Sequence, residues 1–154
     1  MAETEGKKLR VLFLCTGNSA RSQMAEGLLR ELSGGKVEAF SAGTEPAAEV
    51  QPKAVAAMAE IGIDISAQKP KNVATLEDAD FDWVITVCDH ARQTCPVWPG
   101  RTHHVYWPIA DPVSQEGDDE IKMTAFRETR DDLKDHIAMW LSGQGIEGGG
   151  TSGG

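Results

Sequence analysis

The stretch Val11-Leu12-Phe13-Leu14-Cys15-Thr16-Gly17-Asn18-Ser19-Ala20-Arg21-Ser22 decides how this chain folds. From Leu9 to Leu14 the residues are apolar without alternation, the pattern of a strand buried on both faces of a parallel sheet. Thr16, Gly17, Asn18 and Ser19 are turn and cap formers, and from Ala20 to Leu32 apolar residues return at helical spacing through Met24, Leu28 and Leu32. The unit is therefore strand, loop, helix. Such a loop directs backbone N–H groups and the positive end of a helix at one spot, which suits a tetrahedral oxyanion. Thr16, Gly17, Asn18, Ser19, Ala20, Arg21 and Ser22 are the candidate oxyanion-binding residues. Cys15 stands at the rim of that spot, where the same field is expected to lower a thiol pKa from about 8.5 into the range of roughly 3.5–7.5. That makes it a candidate nucleophile. Arg21, in the first turn of the helix, carries a planar fork that matches two oxygens of phosphate or arsenate. Ser22 is a candidate hydrogen-bond donor to the thiolate.

Working outward, Ser33-Gly34-Gly35 ends this helix and Val37 to Ser41 reads as a second strand, followed by the turn Ala42-Gly43-Thr44-Glu45-Pro46, which can fold toward the loop. Pro52 to Ile61 reads as a helix with Val55, Met58 and Ala59 or Ile61 on its buried stripe, closed by Gly62. An extended link, Ile63-Asp64-Ile65-Ser66, leads through the basic pair Lys69 and Lys71 to a short helix over residues 73–79. Trp83 to Val87 is another buried strand, and it too stops at a cysteine, Cys88. In an open parallel sheet the ligand crevice lies beyond the carboxyl ends of the strands, so Cys15 and Cys88 are expected to face one crevice. Cys88 to Cys95 is polar, without a strong hydrophobic stripe. Thr102 to Trp107 reads as a fourth strand, and the Asp111-Pro112 that follows lies beyond its end. Thr124 to Leu141 is the clearest helix, with Phe126, Leu133, Ile137 and Trp140 on one stripe. The order predicts an α/β fold, a four-stranded parallel sheet in a three-layer α/β/α sandwich.

The 154 residues suit one domain, expected over 9–142, with a frayed charged N-terminus over 1–8 and a disordered glycine-rich tail over 143–154. A formal net charge of −9 argues against nucleic acid or an anionic membrane as partner, so an anionic substrate must be drawn by local field. Neither an apolar run of spanning length nor a signal peptide is evident, which predicts a cytoplasmic protein. Three cysteines are too few and too odd in number for a disulfide scaffold and point to reactive or metal-binding thiols. Cys88, His90, Cys95 and His103 or His104 form a loose zinc-ligand set whose spacing fits no common finger or ribbon, and no metal is expected. No apolar stripe is left over once the core helices are assigned, which predicts a monomer.

Cys-x5-Arg-Ser at a strand-to-helix turn resembles the active-site loop of the low-molecular-weight protein tyrosine phosphatase fold, which serves both phosphatases and thioredoxin-coupled arsenate reductases. Three features separate the branches. The phosphatases commonly carry a second cysteine just before the loop arginine, where this chain has Ala20. They usually follow the acidic Asp-Pro with tyrosines, where this chain has Val113-Ser114 and its only tyrosine is Tyr106. The six residues between Cys88 and Cys95 look like the redox pair of the arsenate reductases. The resemblance runs nearly to Leu141 and implies a three-cysteine relay. Cys15 attacks arsenate held by the loop and Arg21, with Asp111 as the acid that helps water leave. Cys88 then attacks Cys15, releasing arsenite, and Cys95 moves the disulfide to Cys88–Cys95 for reduction by thioredoxin, with no bound cofactor. The catalytic set so implied is Cys15, Cys88, Cys95, Arg21 and Asp111; the alternative is a phosphatase using Cys15, Arg21 and Asp111 alone. Some relatives bind potassium beside the loop. Asn18, Glu26 and Ser41 look like part of that site, but Lys69 and Lys71 stand where those relatives offer oxygen ligands, so no potassium dependence is expected.

Overall fold

The computed structural model of the chain describes residues 8–88 and 102–146. Strand β1, Leu9–Cys15, runs through the middle, and Val11 to Leu14 are fully buried, as an apolar run with no polar alternation requires. Helix α1, Arg21–Leu32, follows, then strand β2, Val37–Gly43, and helix α2, Pro52–Ala59. A 3-10 turn at Val73–Leu76, strand β3 at Trp83–Thr86 and strand β4 at His103–Tyr106 come next. A second 3-10 turn, Pro112–Ser114, leads into helix α3, Asp119–Gly143. The strands lie in the order β2-β1-β3-β4, all parallel, as the βαβ order predicts. Among the described residues no helix is long and apolar enough to cross a membrane.

The two faces of the sheet are covered differently. Val11 and Phe13 point to the face where Met24, Leu28 and Leu29 of α1, Ala54 and Met58 of α2, and Phe126, Leu133 and Ile137 of α3 pack together. Leu12 and Leu14 point to the other face, which among the described residues is closed by Val73, Leu76 and Phe81 of the segment around the first 3-10 turn. There Phe81 meets Phe40 edge to face, and the Arg10 guanidinium lies 4.9 Å from the Phe40 ring centre.

Several boundaries differ from the sequence expectation for identifiable reasons. β2 continues through Ala42 and Gly43 instead of turning there, because the pairing with β1 runs in register to Cys15 opposite Gly43. Helix α2 buries Ala54, Ala57 and Met58, while Val55 and Ile61 are only partly buried and Ala59 is exposed. Two alanines and Met58 form its inner stripe, which joins the core shared with α3. Of residues 73–79 only Val73–Leu76 form a helical turn, a 3-10 turn opened by Asn72, whose side chain accepts from Ala74 N–H at 2.8 Å. Helix α3 starts at Asp119, five residues earlier than its apolar stripe suggests, because the Asp118 side chain caps it by accepting from Ile121 N–H at 2.9 Å.

Candidate active site

All four strands point their carboxyl ends the same way, so β1 delivers Cys15, β3 leads to Cys88 and β4 to Asp111 at one edge of the sheet. The loop Thr16–Ala20 is held by its carbonyls. Cys15 O accepts from Thr44 N–H (3.2 Å), Thr16 O from Glu45 N–H (2.9 Å), Gly17 O from Ala47 N–H (2.9 Å) and Ser19 O from Gln51 N–H (2.8 Å). Asn18 O accepts from the Gln23 side-chain amide at 3.1 Å. In a trans peptide the N–H points away from the C=O, so tying these carbonyls outward turns the N–H groups of Thr16 to Ala20 toward the loop's centre. The Thr16 N–H indeed reaches the Cys15 sulfur. Helix α1 has no side-chain N-cap and no acidic residue in its first turn, which leaves its positive end for an anion.

Asn18 is the hinge of the loop. It is fully buried at φ +50°, a backbone region that asparagine tolerates better than most residues. Its side chain donates to Ser22 Oγ at 2.8 Å and accepts from Lys71 N–H at 2.8 Å. Ser22 is therefore engaged with Asn18, beneath the loop. The sequence reading missed Gly43: a Cβ there would lie 2.5 Å from Thr16 O and 3.0 Å from Asn18 Cβ, so the loop leans on a position that admits no side chain. The local sequence marks it only as a turn glycine, and the long-range contact leaves no signal.

The Arg21 side chain crosses the strand ends, Nη1 donating to Ile109 O at 2.9 Å and to Val87 O at 3.3 Å, which fixes the guanidinium at the site. Its Nη2 lies 3.8 Å from Asp111 Oδ2. Asp111 also opens the second 3-10 turn, its Oδ1 accepting from Val113 N–H at 3.0 Å, so it both shapes the turn and faces the arginine. Cys15 and Cys88 are both buried free thiols in hydrogen-bond contact with each other, and Thr16 Oγ1 lies 3.2 Å from Cys88 Sγ. The two cysteines come together at the strand ends, as expected. Cys95 and His90 lie outside the described residues.

The expected depression of the Cys15 pKa is not what this arrangement gives. The hydrogen bond with Cys88 and burial push the Cys15 thiol up from its ordinary value, while Arg21 and the Thr16 N–H pull it down less strongly. A cradle field alone favours thiolate; a second thiol in contact with the first opposes it.

Below the loop, Glu26 accepts from the Ser41 hydroxyl and from Arg30. Lys71 Nζ donates to Lys69 O at 3.0 Å and lies 3.9 Å from Glu26 Oε1. Lys71 thus brings its ammonium beside Glu26 and its main-chain N–H to Asn18, whereas Lys69 contributes its carbonyl. Of the zinc-ligand set named from the sequence, His103 instead stacks on Trp83, ring centres 4.5 Å apart, and among the described residues no group of three or more His, Cys, Asp or Glu is placed to hold a metal ion.

A parallel four-stranded sheet carrying a cysteine, an anion-binding loop, an arginine and an opposed Asp-Pro defines a class of phosphatase-like domains. Residues 10–147 match the family model described as low molecular weight phosphotyrosine protein phosphatase, and the chain belongs to that family. Within it, the chain is 46% identical over 129 residues to the arsenate reductase of Halalkalibacterium halodurans, covering 82% of this chain and 91% of that protein. Among solved structures it is similar to an arsenate reductase in the phosphate binding state, with a TM-score of 0.70, 33% identity and coverage of 87% and 97%. It is also similar to the thioredoxin-dependent arsenate reductase of Corynebacterium glutamicum, with a TM-score of 0.69, 29% identity and coverage of 93% of this chain and 65% of that one.

Proposed function

We propose that this chain is an arsenate reductase working through Cys15, Cys88 and Cys95, with reduced thioredoxin as the electron donor. The observation that carries this reading is the second buried thiol in hydrogen-bond contact with the first at the mouth of an anion cradle. Hydrolysis of a phosphoester needs one thiol there; reduction of an oxyanion by two electrons needs two.

The chemistry balances on these residues. Arsenate sits on the N–H groups of Thr16 to Ala20 and on Arg21, and the Cys15 sulfur attacks arsenic while a hydroxide leaves as water, protonated by Asp111, which regains its proton from the Cys15 thiol. Cys88 then attacks the Cys15 sulfur. The As–S bond breaks, its electron pair stays on arsenic, As(V) becomes As(III), and a Cys15–Cys88 disulfide forms as arsenite departs. Cys95 attacks Cys88, freeing Cys15 as a thiol, and the Cys88–Cys95 disulfide takes two electrons from the thioredoxin dithiol. Thr16 Oγ1 beside Cys88 Sγ is positioned to donate to that sulfur as it becomes a nucleophile.

The test is arsenate-dependent NADPH oxidation in the presence of thioredoxin and thioredoxin reductase. The wild type is expected to turn over many times and Cys95→Ser to stop after about one equivalent of arsenite. If neither consumes NADPH while both hydrolyse an aryl phosphate, the chain is a phosphatase using Cys15, Arg21 and Asp111.

A further inference from the structure

We propose that Gln23 is a positioning residue that aims the Ser19 N–H into the oxyanion cradle by holding the Asn18 carbonyl outside it. The proposal rests on reading the Thr16–Ala20 loop as an oxyanion site, and it adds a residue that touches neither the anion nor the cysteines.

Four of the five loop carbonyls, those of Cys15, Thr16, Gly17 and Ser19, are tied by main-chain N–H groups of Thr44, Glu45, Ala47 and Gln51. Such ties survive any side-chain substitution short of proline. The Asn18 carbonyl differs, because its partner is a side chain, Gln23 Nε2 at 3.1 Å. The Asn18–Ser19 peptide unit is thus the one whose orientation depends on residue identity elsewhere. It is also the unit most inclined to turn over, since Asn18 is the loop residue at positive φ.

The Gln23 amide is built to hold it. The residue is fully buried, and Nε2 serves Asn18 O (3.1 Å), Asn18 Oδ1 (3.1 Å) and Lys69 O (3.0 Å). Its Oε1 accepts from Gln68 Nε2 at 2.7 Å, and Gln68 Nε2 also lies 3.1 Å from Gln23 O. Reversing the amide would set its oxygen against three acceptor oxygens and its nitrogen against another NH2 group, so the surroundings permit one orientation only. The segment carrying Gln68, Lys69 and Lys71 is joined to the loop by the same network, with Lys71 N–H on Asn18 Oδ1 at 2.8 Å. Gln23 lies in the first turn of α1 with its side chain on Asn18, Lys69 and Gln68, which is why its role follows from the peptide geometry and not from proximity to substrate.

With Gln23→Met the side chain keeps its length and loses both donors, while Ser22 and Lys71 still hold the Asn18 side chain. The experiment is titration of the reduced, 15N-labelled chain with inorganic phosphate, followed by amide resonances. In the wild type the Thr16 to Ala20 amides are expected to shift together. In Gln23→Met the Kd is expected to rise about ten- to a hundredfold, the worth of one hydrogen bond to a charged group, with the Ser19 shift lost and those of Gly17 and Ala20 retained. KM for arsenate is expected to rise with it while kcat changes far less, because the contact is made to bound substrate and transition state alike. An unchanged Kd and an unchanged Ser19 shift in Gln23→Met would overturn the proposal while leaving the cradle intact. Absence of any phosphate-induced shift in the wild-type loop would instead remove the cradle reading itself. Should Gln23→Met not fold, Gln23→Asn keeps the amide but withdraws it by one methylene from Asn18 O: a Kd raised about two- to tenfold with a weakened Ser19 shift supports the proposal, and a wild-type Kd with an unchanged Ser19 shift contradicts it.

Discussion

The loop after β1 and the loop after β4 meet at Arg21, and they are built in opposite ways. The first is tied at every carbonyl from Cys15 to Ser19, leans on Gly43 and is buried around Asn18. The second reaches Asp111 through Trp107, whose ring is 5.1 Å from His136 of α3 and 6.0 Å from Phe13 of β1, and through a 3.5 Å contact of Thr129 Oγ1 with Ala110 O. Its Asp111 side chain is 41% exposed, against 13% for Arg21. The loop proposed to bind the anion is tied down along its main chain, and the loop carrying Asp111, the proposed acid, leaves that side chain open to solvent. Binding needs several N–H groups at set positions; proton transfer needs one carboxyl that can approach and withdraw.

The largest effect that separates the two loops is expected from Asp111→Asn. Steady-state arsenate reduction should fall about 10²- to 10⁴-fold in kcat, while phosphate binding, read by titration, stays close to wild type. A matching loss of phosphate affinity would mean that the two loops are not separable. Gly43→Ala probes the other side. A Cβ placed against Thr16 O displaces the loop, so phosphate affinity and kcat/KM should both fall, by about 10²-fold or more, with the protein still folded by circular dichroism.

A smaller and opposite effect is expected from Cys88→Ala. Its hydrogen bond is the main influence holding the Cys15 thiol up, so its removal lowers the Cys15 pKa, and the pH at which Cys15 begins to react with iodoacetamide should move down. The rate at neutral pH should therefore rise; an unmoved profile would show that the two thiols do not interact. The smallest effect belongs to Lys71→Met, which removes an ammonium that is 38% exposed beside the largely buried Glu26, at a cost of about 1 kcal/mol in urea unfolding. In the wild type, replacing sodium by potassium should leave turnover unchanged, and clear activation by potassium would show that Lys71 does not stand in for a cation.

How much of this was legible in the sequence follows from how local each feature is. The β1–loop–α1 unit can be read directly because strand, turn and helix signals sit side by side from Leu9 to Leu32. Cys88 beside Cys15 follows from a topological rule about strand ends, and the structure bears it out. Gly43 and Gln23 carry no such signal, since one acts through a contact with a distant backbone atom and the other through the direction of a peptide plane. The sign of the Cys15 shift was missed for the same reason: the field of the loop is written in its own residues, while the contact with Cys88 depends on how β1 and β3 come together. Cys95, read from the sequence as the third thiol, lies outside the described residues and rests on its spacing from Cys88.

The most direct test of the two-thiol account is a single turnover without reductant. Reduced Cys95→Ser is mixed with excess arsenate, arsenite is counted, and the disulfide is mapped by mass spectrometry after alkylation. The account predicts about one arsenite per chain together with a Cys15–Cys88 disulfide. Arsenite released while Cys88 remains alkylatable, or no arsenite at all from a chain that binds phosphate, would contradict it.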